Sequence, residues 1–349
     1  MKPVFTMSTD WHLKEDNIEA IKDLAHQLCK LTLKLGLKET FCLGDILDSR
    51  IAQKQVVLKA LEAILDIFRD YDVKLHLIPG NHDKSVYSSK DSFLDVFKHH
   101  PSAIIYRQYT QINRGRYHIH MMPYFEEKVW IKEFKGITPI SDGGRADVLL
   151  THMAVKGSRN NDGSIVDCKL TPSYLKLWGR VYLGHYHDRQ QIGKNIFHIP
   201  SIQQNNFGED EHKGFTVFYQ DGSHKLIKSD FQAYKCLKLD INDMSHKEIE
   251  ELAKEHSTSS DRIRFEFLGD TSSLKSIDKV GIESLGIEVK TKSKEIEDTI
   301  KFVEEEDMVT LNKDSIMEEF KGYCKEFGKD YKRGSKFIKS HLNGKEGQK

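Results

Sequence analysis

Along the first two hundred residues, short apolar runs alternate with stretches in which apolar positions recur at helical spacing. Val4 to Ser8 reads as a strand that ends at Asp10-Trp11-His12. Ile18, Ile21, Leu24, Ala25, Leu28, Leu31 and Leu35 then fall on one face of a helix, with Gly36 as its stop. Thr40 to Leu43 predicts a second strand and delivers Gly44-Asp45. Val56, Val57, Ala60, Leu61, Ile64, Leu65 and Phe68 mark the next helix, and Lys74 to Ile78 a strand running into Pro79-Gly80-Asn81-His82-Asp83. The arrangement recurs where Val148 to Leu150 precedes Thr151-His152 and where Val181 to Leu183 precedes Gly184-His185-Tyr186-His187. Residues 195–230 read as strand-rich, with Asp221-Gly222 as a hairpin turn. This alternation predicts an α/β (α+β) architecture, a two-sheet sandwich flanked by helices.

Every residue of metal-binding type in these segments lies just past the carboxyl end of a predicted strand. In α/β sheets those ends gather along one edge, so loops distant in sequence meet in one crevice. Glycines before Asp45, Asn81 and His185 let the chain turn sharply there, where a β-carbon would obstruct it. Taken singly, each segment has an ordinary explanation: a turn carboxylate, a helix cap, a packed histidine. Taken together they supply carboxylate and amide oxygens and imidazole nitrogens sufficient for two ions. That mixed donor set suits Mn²⁺, Fe or Zn²⁺. A carboxylate shared by two such ions is the usual core of metal-assisted phosphoryl chemistry.

Composition narrows the picture further. The chain has 349 residues, with 53 Lys and Arg balancing 53 Asp and Glu, so no global basic field advertises nucleic acid. Cys29, Cys42, Cys168, Cys236 and Cys324 are widely spaced without a C-x-x-C pair, and read as buried or free thiols of a reducing compartment. The start of the chain carries no long apolar segment, which points to the cytoplasm, or to the host cytoplasm if a phage encodes it.

In the order D-x-H, G-D-x-x-D, G-N-H-D, H, G-H-x-H, the chain resembles the calcineurin-like metallophosphoesterases, and among them the SbcD-type (Mre/Rad complex) nucleases of DNA repair, recombination and replication. The resemblance implies a four-layer β-sandwich flanked by helices. It also implies two divalent ions, most often Mn²⁺: one on Asp10, His12 and His187, the other on Asn81, His152 and His185, with Asp45 bridging. His82 takes the catalytic position beside the scissile phosphate, and Asp48 and Asp83 support the ligands. It further implies 3′-to-5′ exonuclease action on double-stranded DNA, endonuclease action on single strands, and assembly with an SbcC or Rad-type coiled-coil ATPase as a heterotetramer containing a nuclease dimer. The chain has no G-x-x-x-x-G-K-[ST], so ATP hydrolysis falls to that partner.

Beyond about residue 233 the pattern changes. Cys236 to Ile241 alternates, Ser245 to Lys254 reads as a helix capped by Ser245 and Glu248, and Arg262 to Leu268 alternates again. The expected organisation is a nuclease domain over 1–232, a small α+β capping domain over 233–300, and a linker with a helical pair over 301–349. Lys290, Lys292 and Lys294 fit a solvated edge strand, and the acidic Glu304 to Asp307 fits a linker. Ile316, Met317, Phe320, Tyr323, Cys324 and Phe327, then Phe337, Ile338 and His341, predict two short amphipathic helices whose apolar faces need a cover. By resemblance, that cover is the base of the ATPase coiled coil. The competing readings are a protein phosphatase, a cyclic-nucleotide or small-molecule phosphodiesterase, and a non-catalytic DNA-end clamp or ATPase adaptor. A phosphatase is expected to carry G-D-x-V-D-R-G and G-N-H-E, where this chain has Asp48-Ser49-Arg50 and Asp83.

Overall fold

The computed structural model describes residues 1–140, 146–160 and 163–294, together with Phe320, Lys321, Cys324, Lys325, Tyr331 and Ser335. Strands β1 (Pro3–Ser8), β2 (Glu39–Cys42), β3 (Lys74–Leu77) and β4 (Ala103–Ile105) run parallel to one another. The antiparallel hairpin β11 (Gly214–Tyr219) and β12 (His224–Lys228) extends their sheet to the order β12-β11-β1-β2-β3-β4. A second sheet, in the order β5-β6-β7-β8-β10-β9, uses β5 (Thr110–Arg114), β6 (Tyr117–Met122), β7 (Ala146–His152), β8 (Arg180–Gly184), β9 (Gln190–Gln191) and β10 (Ile196–His198).

Alternation along the strands builds three cores. Phe5, Met7, Phe41, Val148, Leu150 and Tyr182 meet between the two sheets. The opposite face of the first sheet packs Leu75 and Leu77 against helices α1 (Ile18–Lys34) and α2 (Gln55–Asp70), through Leu24, Leu28, Leu61 and Phe68. The opposite face of the second sheet packs Leu149, Val181 and Leu183 against Trp178 and against Trp130 and Phe134 of α3 (Glu127–Phe134). Helix, sheet, sheet, helix is the four-layer sandwich expected. Central strands buried on both faces read as continuous apolar runs, which is why their positions were legible.

Helix α1 ends where Gly36 adopts a left-handed backbone, and Gly222 does the same in the β11–β12 turn, both as expected. Val56 was assigned to the apolar face of α2 but is exposed. Strand β6 lies outside the elements the apolar pattern marked. It is buried along its whole length, yet two of its six residues are His118 and His120, which break the apolar run.

Later in the chain come β13 (Tyr234–Asp240), α4 (His246–His256), β14 (Arg262–Gly269), α5 (Thr271–Lys275), α6 (Lys279–Ser284) and β15 (Glu288–Ser293). The three strands form a sheet in the order β13-β14-β15. The cap read at the start of α4 is present: Glu248 accepts from the Ser245 backbone at 2.7 Å, and Ser245 Oγ accepts from the Glu248 N–H at 3.3 Å. Two compact units emerge from the contacts, one comprising residues 1–237, 250–265 and 280–289, the other 238–249, 266–279 and 290–349. Lys292 pairs with Glu266, and Lys294 with Asp240, inside the second unit. The acidic segment Glu304–Asp307 and most of the helical pair lie outside the described residues, of which Phe320, Lys321, Cys324, Lys325, Tyr331 and Ser335 are helical. Among the described residues no helix is long and apolar enough to cross a membrane.

Candidate metal centre

The five segments converge at the carboxyl ends of β1, β2, β3, β7 and β8. Asp10 and His12 follow β1, Asp45 follows β2, Asn81 and His82 follow β3, His152 is the last residue of β7, and His185 and His187 follow β8. Their ligand atoms form two groups able to hold an ion, Asp10, His12 and His187, and Asp45, His152 and His185, while His12 also shares a third such group with Asp48 and His82. In the first, His12 Nε2 and His187 Nε2 stand 3.0 Å apart, with Asp10 Oδ1 at 3.9 Å from each. In the second, His152 Nε2 lies 3.2 Å from Asp45 Oδ2 and 3.0 Å from Asn81 Oδ1, which is 2.8 Å from His185 Nδ1. All seven sequence-assigned ligands are therefore together.

The local backbone explains how they are aimed. Among the described residues, five non-glycine residues have positive φ, and four of them are Asp10 (52°), His12 (47°), Asp45 (52°) and His185 (88°). Such conformations cost about 1–3 kcal/mol each and persist where the surroundings impose them. The glycines act mainly by permitting close approach. A β-carbon on Gly80 would lie 2.2 Å from Asp45 Oδ1, and one on Gly184 2.2 Å from Thr9 Oγ1.

Hydrogen bonds fix which ring nitrogens are bare. His187 Nδ1 donates to Glu209, His152 Nδ1 to the Leu43 carbonyl at 2.7 Å, and His12 Nδ1 faces Asp48 Oδ1 at 3.4 Å. With those protons on Nδ1, the three Nε2 atoms turn lone pairs toward one another and toward carboxylate oxygens. Acceptors facing acceptors in a buried pocket need a cation or an extra proton between them. The electrostatics say the same. Burial alone would push His152 down, but Asp45 outweighs it and lifts the imidazole to about 9, a proton standing where a cation would serve. Burial lowers His185 to about 3, leaving it neutral and able to ligate. The donor set thus fits a pair of divalent cations.

Two supporting carboxylates differ in what they do. Asp48 faces the ring of His12, as expected of a residue that orients a ligand. Asp83 touches backbone instead, accepting from Gly80 N–H at 2.8 Å, Leu47 N–H at 3.0 Å and Ile46 N–H at 3.4 Å, which ties the loop after β3 to the loop after β2. Burial, then the nearby Asp45, raises the Asp83 carboxyl to about 6.

His82 lies against the first group, its ring edge-on to His12 at 4.7 Å between centroids and its Nε2 3.9 Å from Asp45 Oδ2. Its backbone N–H bonds Asp45 Oδ1 at 2.8 Å, its Nδ1 donates to the Asp48 carbonyl, and its Nε2 accepts from Arg50 Nε at 3.0 Å and Nη2 at 2.7 Å. Burial, with Arg50 contributing, holds the ring below its ordinary value. Sequence reasoning noted Arg50 only as a departure from a phosphatase motif. It missed Glu209 altogether, since Gly208-Glu-Asp-Glu-His-Lys213 reads as a solvated loop. Of the other histidines, His198 is buried and bonds the Gly184 carbonyl at 3.0 Å and Ser158 Oγ at 2.9 Å, whereas His99, His212 and His246 are exposed.

A relative named "Putative phosphoesterase 244L" from Invertebrate iridescent virus 6 is 24% identical over 211 residues, 60% of this chain and 73% of its own length. The solved structure of a dimetal phosphatase from Danio rerio aligns with a TM-score of 0.41 at 12% identity, over 62% of this chain and 93% of that one. The model of the calcineurin-like phosphoesterase family matches residues 4–189, more than half the chain and every candidate ligand. The chain belongs to the calcineurin-like phosphoesterases.

Proposed function

We propose that this phosphoesterase is the nuclease subunit of an SbcCD-like DNA end-processing complex. The observation that carries the chemistry is the acceptor-to-acceptor packing around Asp45. Asp10, His12 and His187 would hold one divalent cation and Asn81, His152 and His185 the other, with Asp45 shared. Such a pair, Mn²⁺ in this reading, supplies Lewis acidity to a phosphate and to the attacking water. The chain's own residues do the rest. His82 keeps Nδ1–H on the Asp48 carbonyl, so its proton exchange would run through Nε2, which first takes up a proton in place of its Arg50 contact and then passes it to the leaving oxygen. Burial, which lowers its pKa, leaves Nε2 mostly bare, so a proton taken up there is held only weakly. Arg50, exposed beside His82, would offer its paired N–H donors to a phosphate oxygen once His82 turns to its task.

DNA as substrate and an SbcC or Rad-type ATPase as partner are supported by the α+β segment that follows the family match, by Asp83 where a phosphatase is expected to carry Glu, and by the basic tail. From Lys321 to Lys349 nine residues are Lys or Arg and three are Asp or Glu. In this reading residues 233–300 form a capping unit beside the DNA and 301–349 bind the ATPase, in a heterotetramer working in the cytoplasm. The test is to offer linear double-stranded DNA, single-stranded circles, a generic phosphodiester and a phosphopeptide to the full chain with Mn²⁺, using His82→Ala as control. Release of nucleotides from DNA supports the reading. Activity confined to the phosphopeptide overturns it in favour of a phosphatase.

A further inference from the structure

Cation binding by His187 requires its Nε2 to stay bare, and a loop beyond the family match controls that. His187 Nδ1 lies 2.8 Å from Glu209 Oε1. The Glu209 side chain is fully buried, and each oxygen has a second partner or more: Asn206 Nδ2 at 2.8 Å on Oε1, the Asn205 N–H at 3.2 Å and Lys213 Nζ at 3.0 Å on Oε2. Lys213, also fully buried, donates to the His187 carbonyl at 2.8 Å and to Asp188 Oδ1 at 2.6 Å. One ion pair therefore grips the same histidine twice, at its ring through Glu209 and at its backbone through Lys213.

A surface loop has no ordinary need for this. Burying a carboxylate and an ammonium carries a large desolvation cost, and a well-packed apolar pair would often stabilise the loop as well or better. What an apolar pair cannot do is hold a proton on Nδ1. A carboxylate that accepts from a ligand's second nitrogen fixes tautomer and ring plane and makes the free nitrogen a better donor to a cation. Because three contacts besides His187 pin the Glu209 carboxylate, the position of its Oε1 is set before any cation arrives.

We propose that Glu209, clamped by Lys213, is a positioning residue that holds His187 in the Nδ1–H tautomer for cation binding. The inference rests on the two-cation reading above. It is tested on the full chain with Mn²⁺ as the probe, by calorimetric titration and by the ring ¹⁵N signature of His187 in the metal-free protein. Glu209→Ala is expected to weaken one of two binding steps about 10- to 100-fold, leave the other within about 2-fold, and convert His187 to a mixture of tautomers. Glu209→Gln keeps an acceptor oxygen in place and is expected to retain both the tautomer and most of the affinity. Glu209→Asp keeps the charge but withdraws the oxygen, and is expected to behave like Glu209→Ala. If the alanine variant does not fold, the Gln and Asp pair carries the decision. Equal weakening of both steps, or an unchanged His187 tautomer in Glu209→Ala and Glu209→Asp, overturns the proposal. Wild-type protein that binds fewer than two Mn²⁺ ions refutes the two-cation reading instead, while the tautomer still reports on the Glu209–His187 bond.

Discussion

Buried histidines meet carboxylates inside the sandwich strands as well as at their carboxyl ends, with opposite outcomes. Glu39, the first residue of β2, accepts from the Arg114 guanidinium and from His76 Nε2 within β3, while His76 Nδ1 meets the Tyr106 hydroxyl at 2.7 Å. His120 likewise bonds Asp147 at 2.7 Å through one nitrogen and the Tyr109 hydroxyl at 2.7 Å through the other. In these clusters acceptors find donors, and the backbone is ordinary. At the carboxyl ends, by contrast, acceptors crowd one another and four ligands sit in left-handed backbone. A cluster of His and Asp is thus not in itself a metal centre. The missing donors are what distinguish the one from the other.

The comparison can be broken most severely at Asp45. Asp45→Ala is expected to abolish binding at both cation positions and to take turnover to background, as read by metal analysis and phosphodiester assay. His82→Ala should keep both ions yet lose about 10²- to 10⁴-fold in turnover. Intact turnover in that variant would remove His82 from the chemistry. Thermal melts give a gentler contrast. Saturating Mn²⁺ at about 100 times its dissociation constant should stabilise the wild-type chain by about 2.7 kcal/mol per site and Asp45→Ala by nothing. Glu39→Ala, in the other cluster, should cost about 1–3 kcal/mol by stranding Arg114 and His76, while keeping the full Mn²⁺-dependent gain. If Glu39→Ala lost that gain, the two clusters would not be independent.

The last contrast concerns pH. Burial lowers His198 to about 4, so the folded chain keeps it neutral while the unfolded chain takes up a proton below about 6.5. Its contribution is therefore present above pH 6.5 and lost as pH falls toward 4, by about 3 kcal/mol at most. His198→Gln should flatten the melting temperature across that window, and a slope identical to wild type would assign the acid lability elsewhere.

Sequence alone picked out the candidate segments that the fold brings together because each follows a strand buried on both faces. Burial on two sides leaves a run such as Val148 to Leu150 no alternative, and the polar residue that ends it stands out. Glu209 carries no such signal. Its pairing with His187 spans 22 positions and depends on a loop whose polar letters describe a surface, while the folded loop buries two of them completely. His120 and Asp147 were hidden for a related reason, since a histidine hydrogen-bonded to a carboxylate inside a strand looks like a break in the apolar pattern. Periodicity records where side chains meet oil, and it is silent about which buried polar groups satisfy each other.

The left-handed ligands have a consequence for how this chain responds to selection. Glycine or asparagine would relieve backbone strain at positions 10, 12, 45 and 185, and would also dilute the charge packed there. A library screened for heat tolerance alone, in the presence of a chelator, should accumulate those replacements first. Such survivors would be sturdier proteins with nothing left to catalyse.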